Sequence, residues 1–196
     1  MLNLYKEEEG YMRRVNILLI GLIFFVSIYV DAATRDVKGL VVGRYYNDVW
    51  QSWIEKPITV YIDDRGNVYI KGGEGLISAR GFLYARERGK FIQLLKKGLK
   101  WAETAKKEKI EITKNLGSFM KLGSVDWYGI KLTFFSTNKG QQTDVILYIV
   151  DFDNVFNRIT LYLNPEQVKG LITLLEKVPQ TLKELKENEK KAKMLN

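Results

Sequence analysis

"GFLYARERGKFIQLLKK" (residues 81–97) and "LYLNPEQVKGLITLLEK" (residues 161–177) decide how this chain reads as a fold. Laid together with a shift of 80 residues, they pair Leu83 with Leu163, Ile92 with Ile172, Leu94 with Leu174, Leu95 with Leu175 and Lys97 with Lys177. Each stretch passes from extended residues into an amphipathic helix, and half a domain of this kind cannot bury its own apolar face. The expectation is therefore an α+β fold of antiparallel β-sheet units, each followed by a helix, as a ββββα-like internal duplication. Residues 33–180 would make a single domain, with repeats at 33–108 and 109–180. The competing reading is coincidence between two Leu- and Lys-rich helices in one non-repeated sheet.

The residues around these junctions support the element types. In the first helix Phe91, Leu95, Leu99 and Ala102 recur at steps of three or four, widened by Ile92, Leu94 and Trp101. Gly98 lies in its centre and weakens it by about 1 kcal/mol relative to Ala, so the helix must lean on packing. The second helix has the better-defined start: Asn164 as N-cap, Pro165 at the first helical position, Glu166 in the first turn and Gln167 three residues after the cap. Val168, Leu171, Ile172, Leu174 and Leu175 form its apolar stripe. Pro179 is expected to kink or end it. Residues 181–196 read as a polar helical tail that frays.

Working outward, "ITVYIDDRGNVYIK" (residues 58–71) reads as a β-hairpin. Ile58, Val60 and Ile62 alternate with Thr59 and Tyr61 before a turn of Asp63, Asp64, Gly66 and Asn67. The stretches 127–136, 144–152 and 158–163 continue the strand pattern, the middle one apolar on both faces as a central strand is. "KGGEG" (71–75) and "GSFMKLG" (117–123) fit no phosphate-binding loop, since the first lacks the Gly-Lys-Ser/Thr ending and neither opens a clear helix after a strand, and both read as loops.

At the other end, Ile17 to Val30 is an uncharged apolar run of 14 residues behind Arg13 and Arg14. A membrane-spanning helix needs about 20 apolar residues, whereas this length suits a signal peptide cut after Ala32. Glu7, Glu8 and Glu9 are an odd flank for a signal, and Met12 is an alternative start. The second reading is an uncleaved anchor over residues 15–30, which would also be the chain's membrane contact. The localisation expected is periplasmic or secreted, with membrane anchoring as the alternative.

Composition narrows the chemistry. The 196-residue chain carries a formal net charge of +8 with no histidine and no cysteine. The missing imidazole removes the commonest general base and the favoured zinc and copper ligand. The missing thiol removes disulfides and cysteine nucleophiles. No catalytic, cofactor or metal residues are assigned. Asp151 and Asp153 would share one side of a strand, as an acid/base or metal pair requires, and motivate a metal- or carboxylate-dependent envelope hydrolase as a second alternative.

Binding has the stronger signal. Arg44, Tyr45, Tyr46, Trp50 and Trp53 fall within ten residues, and Arg80, Phe82, Tyr84, Arg86 and Arg88 alternate along an extended stretch. Aromatic platforms beside cations suit anionic ligands and single-stranded nucleic acid. Two sheet-plus-helix units also resemble, in topology, Pur-type and whirly-type single-strand binders, which implies that ligand class. The first expectation is an exported, non-enzymatic binding or accessory protein of the cell envelope with an anionic or protein partner. Single-stranded nucleic-acid binding inside the cell is the alternative.

Overall fold

The computed structural model describes residues 34–122, 127–151 and 153–194. The expected signal or anchor segment, the cleavage site after Ala32 and the alternative start at Met12 lie outside the described residues. Residues 34–196 form one compact unit.

Nine strands precede or separate two helices: β1 (Arg35–Asp36), β2 (Val41–Asn47), β3 (Ser52–Ile62), β4 (Val68–Glu74), β5 (Ile77–Leu83), α1 (Arg88–Glu108), β6 (Ile112–Leu122), β7 (Trp127–Thr137), β8 (Gln142–Val150), β9 (Arg158–Leu163) and α2 (Pro165–Lys193). A short 3-10 turn, Ala85–Glu87, leads into α1. All strand pairings are antiparallel, and eight strands follow the order β5-β4-β3-β2-β9-β8-β7-β6 with β1 added against β3.

This order overturns the expected duplication. The strands make one continuous antiparallel sheet curled into a half-barrel, with two helices of which one is C-terminal; repeated sheet-plus-helix units are absent from the described residues. The two stretches joined by the 80-residue shift resemble each other because both are strand ends running into Leu-rich amphipathic helices. The likeness to Pur-type and whirly-type binders rested on repeated units and loses that basis.

The curl is written in small residues on the concave face. A Cβ added at Gly81 would lie 2.4 Å from Ile130 Cγ1, and one at Gly72 would lie 2.7 Å from Leu161 Cδ1 and 3.1 Å from Ile149 Cδ1. Glycine at these points lets β4 and β5 close onto β7, β8 and β9. This also corrects the loop reading of "KGGEG", because Gly72 and Gly73 are inside β4. "GSFMKLG" is likewise strand rather than loop through Leu122, and a bulge between Asn115 and Gly117 shifts its register.

The core fills the space between the curled sheet and the helices: Ile58, Val60, Ile62, Ile70, Leu132, Leu147, Ile149, Leu161 and Leu163 meet Phe91 and Leu95 of α1 and Leu171, Leu175 and Val178 of α2. Gly98 lies close against the sheet, where an added Cβ would be 2.7 Å from Val145 Cγ2. Its cost in helix propensity is offset by that approach. In α2 the Gln167 N–H donates to Asn164 Oδ1 at 3.0 Å and the Asn164 N–H to Gln167 Oε1 at 2.9 Å, a complete capping box. Pro179 does not end this helix, which continues to Lys193. Among the described residues no helix is long and apolar enough to cross a membrane.

Candidate functional site: the convex sheet face

In an antiparallel ladder, directly opposed residues project from the same face. Tyr46 opposes Trp53, Arg44 opposes both Glu55 and Tyr162, Tyr61 opposes Tyr69, and Tyr69 opposes Phe82. These alternate with the buried positions Gly43, Val60, Ile70, Gly81 and Leu161, so they stand on the convex side, away from the core.

Two aromatic–cation clusters result. In the first, Tyr46 and Trp53 meet edge-on with ring centroids 5.2 Å apart, and Trp53 meets Tyr162 at 4.9 Å. The Arg44 guanidinium lies 5.2 Å from the Trp53 ring centroid. The same guanidinium places Nη2 2.7 and 2.9 Å from the two carboxylate oxygens of Asp144, whose side chain is only 1% exposed. In the second, Tyr69 and Phe82 are 5.2 Å apart and Phe82 and Tyr84 are 4.9 Å apart. Arg80 lies 5.6 Å over Tyr69, and Arg86 lies 5.0 Å over Tyr84. The Tyr69 hydroxyl is held above its ordinary pKa, first by burial and then by the Asp63 carboxylate, with Arg80 pulling the other way.

The sequence-expected residues divide accordingly. Arg44, Tyr46 and Trp53 come together, as do Arg80, Phe82, Tyr84 and Arg86. Tyr45 points to the opposite side and packs against the core. Trp50 is in the β2–β3 turn and 71% exposed. The extended alternation expected through residue 88 stops at Leu83, so Arg86 belongs to the 3-10 turn and Arg88 opens α1. Tyr69, Tyr162 and Asp144 were not among the expected residues. The first two were visible as outward positions of alternating strands; Asp144 carries no local signal, because its partner is 100 residues away.

Asp151 and Asp153 follow the end of β8 in a turn, rather than sharing a strand face. Asp151 Oδ1 accepts from the Asp153 N–H at 3.0 Å and Oδ2 from the Arg80 N–H at 3.3 Å. Asp153 Oδ2 pairs with Arg80 Nη2 at 2.6 Å. Both carboxylates thus tie the β8–β9 turn to β5. Among the described residues no three His, Cys, Asp or Glu side chains gather as a metal site.

A cleft of about 570 Å³ opens beside the first cluster, lined by Arg44, Lys106, Gln142, Asp144, Asn164 and Lys169 among others. The Lys169 ammonium has its pKa raised by its hydrogen bond to Glu166, 2.8 Å away.

Fold and face together define a class: a curled antiparallel half-barrel braced by two helices, presenting an aromatic–cationic convex surface. No protein-family model and no curated protein matches the sequence. Among solved structures, the chain is similar to SsgB, from work relating mutations in SsgB to longitudinal cell division during sporulation of Streptomyces coelicolor. That likeness is at 11% identity with a TM-score of 0.39, covering 76% of this chain and 89% of that one.

Proposed function

We propose that this protein is a non-enzymatic binding module, exported to the cell envelope, which holds an anionic partner on the convex face of its sheet. The observation that carries the reading is the pair of aromatic–cation clusters on one exposed surface. Arg44, Arg80 and Arg86 each lie over a ring, so their side chains are pre-positioned and little rotamer freedom is lost on binding. The net charge of +8 acts in the same direction, by drawing anions to the surface. Export rests on the run from Ile17 to Val30, read as a signal.

The test is a fluorescence titration of the intact chain with an anionic polysaccharide, with and without Trp53→Ala and Arg86→Ala. Each substitution is expected to weaken binding by roughly five- to tenfold, the size of a cation–π or stacking contact. Unchanged affinity in both would dismiss the face as the site. N-terminal sequencing of the natively expressed protein checks export: a mature chain starting at Ala33 is expected, and an intact start in the cytoplasmic fraction refutes it.

A second reading, single-stranded nucleic acid, is favoured by the proximity of rings and cations, since bases stack on such platforms. It predicts tighter binding of single-stranded DNA than of the polysaccharide, falling steeply as salt rises.

A further inference from the structure

The cleft beside the first aromatic–cation cluster is walled by the C-terminal half of α1, by the β7–β8 turn with the first residues of β8, and by the N-terminus of α2, with Arg44 of β2 completing it. Its volume of about 570 Å³ falls in the range that holds small molecules. The walls are fixed by bonds of their own. Ser136 Oγ donates to the Ile110 carbonyl at 2.7 Å and the Lys139 N–H to Glu111 Oε1 at 2.6 Å, which fastens the β7–β8 turn to the chain just after α1. Gly140 in that turn has a φ of 75° and sits so near the Ala105 carbonyl of α1 that a Cβ would collide with it. The α2 wall is held by its capping box. Because these walls need little ordering on binding, the entropy cost of filling the cleft falls mainly on the ligand.

Polar groups along these walls are left unspent by the fold. Among the described residues the side chains of Lys106, Gln141, Gln142 and Thr143 make no hydrogen bond or ion pair, and the capping box leaves Asn164 Nδ2 free. Glu103 forms no ion pair either, and acts on Lys169 only as a minor contributor to the raised pKa of that ammonium. The charges balance: Arg44 is paired with Asp144 and Lys169 with Glu166, which leaves Glu103 against Lys106. Leu99, Ala102 and Pro165 add apolar surface.

This lining selects among ligand chemistries. An anion only accepts hydrogen bonds and would face the carboxylates of Glu103 and Asp144; a cation only donates and would face Arg44, Lys106 and Lys169. An apolar molecule would take water from every polar group without replacing it. A hydroxyl both donates and accepts, so a ring that carries several of them can serve ammonium, amide and carboxylate alike. The C–H faces of such a ring suit the apolar surface of Leu99, Ala102 and Pro165.

We propose that this cleft binds a neutral saccharide of mono- or disaccharide size, held by Glu103, Lys106, Gln142 and Thr143. The inference goes beyond the anionic partner of the convex face and does not rest on it. Arg44 is the residue common to the two sites, whereas Glu103, Lys106 and Gln142 take no part in the aromatic–cation clusters. Failure at the cleft would therefore leave the convex face untouched, and the test uses no substitution at Arg44.

The experiment is saturation-transfer NMR on the full chain with maltose, cellobiose, lactose and di-N-acetylchitobiose, and with glucuronic acid and serine as charged comparators. Transfer is expected to at least one neutral sugar, more strongly than to either comparator, with amide shifts at residues 140–143. Glu103→Ala and Gln142→Ala should each raise the dissociation constant of that sugar by roughly three- to tenfold, the size of one hydrogen bond. Gln93→Ala, at an exposed α1 side chain outside the cleft, should leave it unchanged. All three substitutions are at exposed positions, and melting curves check that the variants fold. Absence of transfer to every neutral sugar at millimolar concentration would overturn the proposal. Preference for glucuronic acid or serine over all of them would also overturn it, by making the cleft a site for a charged ligand. So would sugar binding unchanged by Glu103→Ala and Gln142→Ala together, since the sugar would then sit elsewhere.

Discussion

Two ends of the sheet differ in what their turns carry: buried polar side chains at one, exposed apolar side chains at the other. At the first end, the β3–β4 turn is organised by Asp63, 4% exposed, whose Oδ1 accepts from the N–H groups of Arg65 and Asn67 and whose Oδ2 accepts from Asn67 Nδ2. Asn67 Oδ1 in turn accepts from the Ala85 N–H, joining that turn to the chain after β5. The β7–β8 turn presses against the end of α1, where an added Cβ on Gly140 would be 2.1 Å from the Ala105 carbonyl oxygen. At the other end, Val49 and Trp50 of the β2–β3 turn, Leu76 of the β4–β5 turn and Phe156 of the β8–β9 turn are exposed. A buried acceptor left without donors is costly, whereas an exposed apolar side chain has nothing to lose when it is cut back. The two ends should therefore respond differently to substitution, with a clear loss of stability at the first and little change at the second.

The largest effect is expected at the ion pair between them. Arg44→Ala strands the carboxylate of Asp144 in the interior and should cost about 3–5 kcal/mol in a urea melt. A loss under about 1 kcal/mol would mean that Asp144 finds water or another donor. Next, Asp63→Ala removes three hydrogen bonds in the β3–β4 turn and should cost about 2–3 kcal/mol, read the same way. Changing Trp50, Leu76 or Phe156 to Ser should move stability by no more than about 0.5 kcal/mol each. If a tip substitution costs as much as Asp63→Ala, the contrast between the ends fails.

The smallest effect is a pH dependence near Asp63. Tyr69 has its folded pKa raised above the unfolded value of about 10. Its neutral form is thus preferred in the fold, and the unfolded chain loses the proton first as pH rises. The contribution is complete below about pH 10 and fades as pH climbs through the folded pKa. Tyr69→Phe should flatten that alkaline decline in thermal melts recorded between neutral and strongly alkaline pH. An unchanged slope would place the decline elsewhere.

Much of the local structure was legible beforehand. The capping box at Asn164 and Gln167 is a contact over three residues, and the stripes on α1 and α2 are periodicities that neighbouring side chains enforce. The β3–β4 hairpin was readable from its alternation and from the turn chemistry of Asp63 to Asn67. The architecture was not. Two Leu-rich helices spaced 80 residues apart suggested a duplication, but the pairing of β2 with β9 that makes one sheet leaves no mark in either strand. Gly72, Gly73 and Gly98 looked like breaks or weaknesses because glycine's cost is local while its use is a close approach from elsewhere in the chain.

The candidate face divides in the same way. Alternation marked which aromatics of a strand share a side, so Tyr46 with Arg44 and Phe82 with Arg80 could be read from the sequence. Composition excluded histidine- and cysteine-based chemistry outright, since no fold can supply an absent side chain. Which strands lie side by side was decided only by the tertiary structure. It joined Trp53 to Tyr162, placed Asp144 against Arg44, turned Asp151 and Asp153 into ties for Arg80, and collected the apolar turns at one end. The physical reason is range: caps, turns and periodicity act over a few residues, whereas strand order and sheet curl are settled by burial summed over the whole chain.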